Sequence, residues 1–196
     1  MNFKEDKYMK LLAYILFRCS HKRNIGKTVI SNLLYFIDFN YYELHQKTIT
    51  NETYLKTKKG IKSEHFDKIT SYLINKDWLV HRKEDYYNTR INRYYLIKIP
   101  SVKFSKDELE VIDNVIYNLS DLSATKIHQY ASQDMPYQAA NLGEEINQTY
   151  VFYRLSDYSA KTMSLEDKMK DDFLLNGFLQ EDVSLFNEEM KLINAE

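Results

Sequence analysis

Residues 28–42, TVISNLLYFIDFNYY, decide the fold of this chain. Val29, Ile30, Leu33, Leu34, Phe36 and Ile37 recur too densely for one face of a surface helix. A helix that is apolar over most of its circumference belongs in the middle of a core, with other elements packed around it. The stretch therefore predicts a central helix over 28–42 and a body assembled on it.

On the N-terminal side, Tyr8, Leu11, Leu12, Ile15 and Cys19 recur at helical spacing and predict a first helix over 5–19, joined by a turn at 21–26. On the C-terminal side, Thr48-Ile49-Thr50 is short and β-branched and reads as an edge strand before Tyr54-Leu55. Gly60 marks a break, and Ser63 is placed to cap a third helix carrying Phe66, Ile69 and Leu73. Trp78-Leu79-Val80 opens a strand, 85–88 reads as a turn and 93–99 as the returning strand, a β-hairpin stopped by Pro100.

Ser105-Lys106-Asp107-Glu108 has the spacing of a capping box, with Phe104 and Leu109 placed as a hydrophobic staple. Leu109, Ile112, Ile116 and Leu119 then form one stripe of a helix over 106–119. A short helix over 123–131 should end before Met135-Pro136, after which the pattern loosens and Leu142-Gly143-Glu144 reads as loop. Two further helices are expected, one from Ser164 with Leu165, Met169 and Phe173 and a stop at Gly177, the other from Ser184 with Leu185, Met190 and Ile193. The fold class expected is α+β: a mostly helical single domain over 1–140 with a small antiparallel hairpin or sheet, in winged-helix-like element order. A helical C-terminal extension over 141–196 packs on it or flanks it.

A chain of 196 residues suits one such domain, and 44% hydrophobic residues is an ordinary globular share. Cys19 is the one cysteine, so no internal disulfide can form, which fits a reducing compartment, and the thiol reads as part of the core. No apolar run approaches the roughly 20 residues of a membrane span, and residues 1–7 are polar rather than a secretory leader. A cytoplasmic location is the expectation. Charge is divided unevenly. Residues 1–98 hold 19 Lys and Arg against 10 Asp and Glu, a net +9, while 99–196 hold 8 against 18, a net −10. Such a division means either a basic partner-binding half with an acidic tail, or two regions that face each other within one fold.

Catalytic signatures are missing. The sequence has no GxGxxG, P-loop or HExxH, and no GxSxG elbow. One cysteine excludes a Cys-rich zinc site, and His21, His45, His65, His81 and His128 show no local pairing. Asp171-Asp172 and Glu188-Glu189 read as polar helix faces rather than general acid/base pairs. A protein that is not an enzyme and carries no cofactor or metal is expected. The functional-looking patch is the hairpin, where Arg82, Tyr86, Tyr87, Arg90, Arg93 and Tyr94 interleave cations with rings. Three readings stand open: a solvated hairpin, a protein interface anchored by Tyr and Arg, or a wing on nucleic acid phosphates. The second helix is too apolar to read a DNA groove. Asp171, Asp172, Glu188 and Glu189 add an acidic candidate surface for a basic partner.

Leu33-Leu34-Tyr35-Phe36-Ile37-Asp38-Phe39 resembles the "KLLYF-D" helix of the Panacea, or SocA-like antitoxin, domain. Thr48-Ile49-Thr50 through Tyr54 resembles its "G-x-x-I-T-x-x-x-Y" segment, and Lys59-Gly60-Ile61 lies where the family has Gly-Pro. The stretch 109–118 with Ser123-Ala124, and the stretch 127–137, are similar to its later segments, so the likeness spans roughly 8–140. Ile61 replaces the family's Pro, Ser132 stands for its His and Tyr137 for its Trp, which leaves a scaffold rather than a reactive site. The resemblance implies a protein that neutralises a partner protein, a toxin or a host factor, by direct contact, and a place in phages or mobile elements. A winged-helix transcriptional regulator is the alternative.

Overall fold

The computed structural model describes residues 2–87, 89–98 and 103–162. Helix α1 is Glu5–Arg18 and α2 is Lys27–His45. From Val29 to Asn40 every residue of α2 is buried. Helix α2 is the hub: α1, both hairpins and the helices over 106–119 and 124–132 pack on it. It is longer than 28–42 at both ends. Gly26 precedes it, where a Cβ would stand 3.3 Å from Ile91 Cβ, and Gln46 ends it in the left-handed region at φ 53°.

Thr48-Ile49-Thr50 is not a strand. The Asp38 carboxylate, projecting from α2, captures its backbone: Oδ1 accepts from the N–H groups of Ile49 and Thr50 at 2.9 Å each. Oδ2 accepts from the Thr50 hydroxyl and, at 2.8 Å, from the Tyr54 hydroxyl. N–H groups spent on a buried carboxylate are not available to a strand ladder. The strands come just after, as β1 (Tyr54–Thr57) and β2 (Gly60–Ser63), an antiparallel pair with Tyr54 opposite Ser63 and Thr57 opposite Gly60. Gly60, read from sequence as a break, takes φ 105° at the turn of this hairpin.

Ser63 does not cap the third helix. It ends β2, and its hydroxyl shares a 2.6 Å hydrogen bond with the Tyr8 hydroxyl of α1. Helix α3 (Phe66–Asn75) starts three residues beyond, after His65, and buries Phe66, Ile69 and Leu73 as the spacing requires. Strands β3 (Leu79–Tyr86) and β4 (Thr89–Leu96) pair antiparallel from Leu79 opposite Leu96 to Tyr86 opposite Thr89. The ladder continues through Asp85 opposite Arg90, so the return strand begins well before residue 93.

Helix α4 (Lys106–Leu119) starts with the capping box: Glu108 N–H donates to Ser105 Oγ at 3.2 Å and Ser105 N–H to Glu108 Oε2 at 2.8 Å. Phe104 and Leu109 both pack against the core. Helix α5 (Ala124–Ser132) is capped by Ser123, and α6 (Met135–Ala139) is a short helix begun by Pro136. Residues 143–146 return alongside β1, with Gly143 N–H on Lys56 O at 2.7 Å and Ile146 N–H on Tyr54 O at 2.8 Å. Two 3-10 turns follow, Gln148–Tyr153 and Ser156–Tyr158, with Ile146 and Val151 in the core. The helices expected from Ser164 and Ser184 lie outside the described residues. The architecture is α+β, mostly helical, with two separate two-stranded antiparallel sheets.

Candidate functional site

Contacts with the body give the β3–β4 hairpin a braced base, and its tip is left open. At the base, the Tyr94 ring meets Phe66 of α3 edge-on at 5.4 Å and stacks with His81 at 5.1 Å. Burial pushes its phenol up to about 12. Arg93 donates to the carbonyl of Lys22 at 2.9 Å, stands 3.6 Å from Glu84 and lies over the Tyr95 ring at 5.2 Å. Its side chain is 13% exposed. The Tyr95 hydroxyl donates to Glu84 at 2.5 Å, which together with burial raises the phenol above its ordinary value. Arg93 and Tyr94, both read as partner-binding, thus fasten the hairpin to the body.

The other four hairpin candidates sit further out. Arg82 lies over Tyr95 at 5.8 Å with its side chain in solvent. Arg90 and Asp85 form an exposed ion pair at 3.2 Å, which contributes little in water. Tyr86 and Tyr87 meet edge-to-face at 4.8 Å. Tyr87 is 89% exposed and takes φ 51°, a left-handed backbone uncommon for a bulky residue. Among the described residues, Arg82 and Lys83 have no carboxylate at ion-pair distance, whereas Arg90 and Arg93 do. The free positive charge is therefore smaller than the residue count suggests. Asp171, Asp172, Glu188 and Glu189 lie outside the described residues.

Sequence reading missed the polar interior. Arg154, from between the two 3-10 turns, donates through Nε and Nη2 to Asp134 at 2.8 and 2.7 Å. Its Nη1 reaches Asn40 at 2.8 Å and Glu43 at 3.0 Å on α2. The Tyr35 hydroxyl donates to Asp134 at 2.8 Å. Burial disfavours the Arg154 cation, but the Asp134 carboxylate and its hydrogen bonds, with Tyr35 and Glu43, outweigh that and hold the guanidinium above its ordinary range. On the opposite side Arg18 of α1 reaches Asp113 of α4 at 2.7 Å. The signal available was a carboxylate inside an apolar run, Phe36-Ile37-Asp38-Phe39, and a single cation after Tyr150-Val151-Phe152-Tyr153.

These carboxylates have donors already in place, an arrangement that holds elements together. No metal-holding cluster occurs among the described residues. Cys19 is buried and its thiol is pushed up to about 11 by burial. No described helix is long and apolar enough to cross a membrane.

A family model, that of the antitoxin SocA-like, Panacea domain, matches residues 31–138. The match begins within α2 and ends within α6, taking in both hairpins, and leaves out α1 and Arg154. No curated protein and no solved structure shows a significant match to the chain.

Proposed function

The chain belongs to the antitoxin SocA-like, Panacea domain family, and from that premise we propose that it neutralises a partner protein, a toxin or a host factor, by direct contact in the cytoplasm. Masking needs a shaped surface and no chemistry, which agrees with a hydrogen-bonded polar interior and a buried, unreactive thiol. The contact is placed at the tip of the β3–β4 hairpin, on Arg82, Tyr86, Tyr87 and Arg90. The observation that carries this is Tyr87, a large ring 89% exposed at φ 51° on a hairpin whose base is fastened by Arg93 and Tyr94. A preorganised aromatic loses little freedom on binding, and Tyr and Arg are the usual anchors of protein interfaces. Asp171, Asp172, Glu188 and Glu189 would complement a basic toxin and speed its capture. The winged-helix regulator reading draws no support from α2, whose residues from Val29 to Asn40 are all buried.

The test is capture of the partner identified by pull-down from the native host. Tyr87→Ala combined with Arg82→Glu and Arg90→Glu should weaken capture by at least about tenfold while unfolding stays unchanged, as exposed hot spots do. Capture as tight as the parent's would remove the hairpin from the interface. Nanomolar binding of duplex DNA with a steep salt slope would favour the regulator instead.

A further inference from the structure

We propose that the open groove between the end of α4, α5 and the second 3-10 turn seats this chain's own residues 163–176. The groove has a volume of about 520 Å³. Leu119, Leu122 and Tyr130 give it an apolar lining, and Ser156, Asp157 and Thr162 a polar one. Its walls are set by internal contacts. Tyr130 packs on Phe36 at 5.3 Å and Tyr158 at 4.6 Å, and its hydroxyl donates to Asp157 O at 3.1 Å. Burial raises the Tyr130 phenol, so it stays a neutral donor.

Where the described chain ends selects the occupant. Thr162 is itself a groove residue, and its hydroxyl donates to the carbonyls of Ser156 and Ser159, fixing the point from which the next residues depart. The 34 residues that follow, 163–196, start at the groove with no linker to span. Leu165, Met169 and Phe173 recur every fourth position, a spacing that puts three apolar side chains on one side of a helical segment. A segment tethered at the rim is present at an effective concentration near the millimolar range, so even a weak apolar contact is filled intramolecularly before a free partner competes. Glu166, Asp167, Asp171 and Asp172 occupy the intervening positions and would remain in water. The seated segment and the hairpin tip are separate surfaces, so either can be tested without the other.

Two measurements on the full chain test it. Leu122→Cys with Met169→Cys, treated with a short bismaleimide, should crosslink within one chain, Cys19 being buried and unreactive. Replacing Leu165, Met169 and Phe173 together with Ser should speed amide exchange across 119–130 by about tenfold, because cover is lost there. Crosslinks formed only between copies would make a second chain the occupant and overturn the proposal. So would the absence of a crosslink together with unchanged exchange.

Discussion

Asp134 Oδ2 and Arg154 Nη2 stand 2.7 Å apart with both side chains fully withdrawn from solvent. Asp134 lies at the corner between α5 and α6, and Arg154 between the two 3-10 turns. The pair is joined to α2 through Tyr35, Asn40 and Glu43. The residues that enclose the family-matched region therefore include a cation from beyond it.

Arg154→Met should cost about 3–5 kcal/mol, because it leaves Asp134 and Glu43 buried without their cation. Replacing Arg154 and both carboxylates with apolar residues should cost less than the single change. Denaturant unfolding of the two variants checks the order. Equal losses would mean the three groups contribute only as bulk.

The capping box gives a finer gradation. Ser105→Ala removes one acceptor and should cost about 1 kcal/mol. Glu108→Ala removes the reciprocal bond and also the 2.6 Å ion pair with Lys7 of α1, so its loss should exceed that of Ser105→Ala. Lys7→Ala should then add little when Glu108 is already Ala, the non-additivity that a double-mutant cycle reads.

Elements whose partners are near in sequence were legible, and elements made by distant polar groups were not. Leu109, Ile112, Ile116 and Leu119 announce α4, and Ser105 fixes its first residue, because caps and helical periodicity are local. Likewise the density of apolar residues in 28–42 marked α2 as central. Thr48-Ile49-Thr50 was misread because its β-branched composition says nothing of Asp38, a residue 11 positions back that takes its N–H groups. Ser63 was misread because a hydroxyl suited to capping also suits Tyr8, 55 positions away. At the hairpin, composition picked out the cluster, but contacts with residues distant in sequence, Lys22 for Arg93 and Phe66 for Tyr94, decide which side chains brace the base and which face water. Arg93 and Tyr94 cannot be told from Arg82 and Tyr87 without those contacts, since the register itself sets Arg82 opposite Arg93.

Gly60→Ala should destabilise by roughly 1–2 kcal/mol from backbone conformation alone, the cost of an L side chain in the left-handed region. A Cβ there would also stand 2.8 Å from His128 Nδ1 of α5. His128→Ala should recover the steric part and leave the conformational part. Complete rescue in thermal unfolding would show that φ 105° imposes no cost of its own.

Asp38 offers a test in pH. It is fully buried, and burial raises its carboxyl above the ordinary value of 3.8 despite the donors Thr50, Tyr54 and Ile49, which pull it down. A folded state with the higher value binds the proton more tightly than the unfolded chain. The stability this contributes is complete below the ordinary carboxylate range and is lost as pH rises through the raised folded value. Buried Glu52, also raised, acts with the same sign. Asp38→Asn mimics the protonated form: its Oδ1 can still accept from Ile49 and Thr50, while its amide can donate to hydroxyls of Thr50 and Tyr54 turned to accept. Parent and variant should therefore lie closest in stability at acid pH. The parent should fall behind the variant as pH rises from about 4 toward neutrality, because only the parent must carry a buried charge there. Chemical denaturation of both proteins across that range measures the gap. A gap that stays constant, or that moves in the parent's favour, would mean the four donors hold the carboxylate ionised throughout, with burial no longer the larger effect.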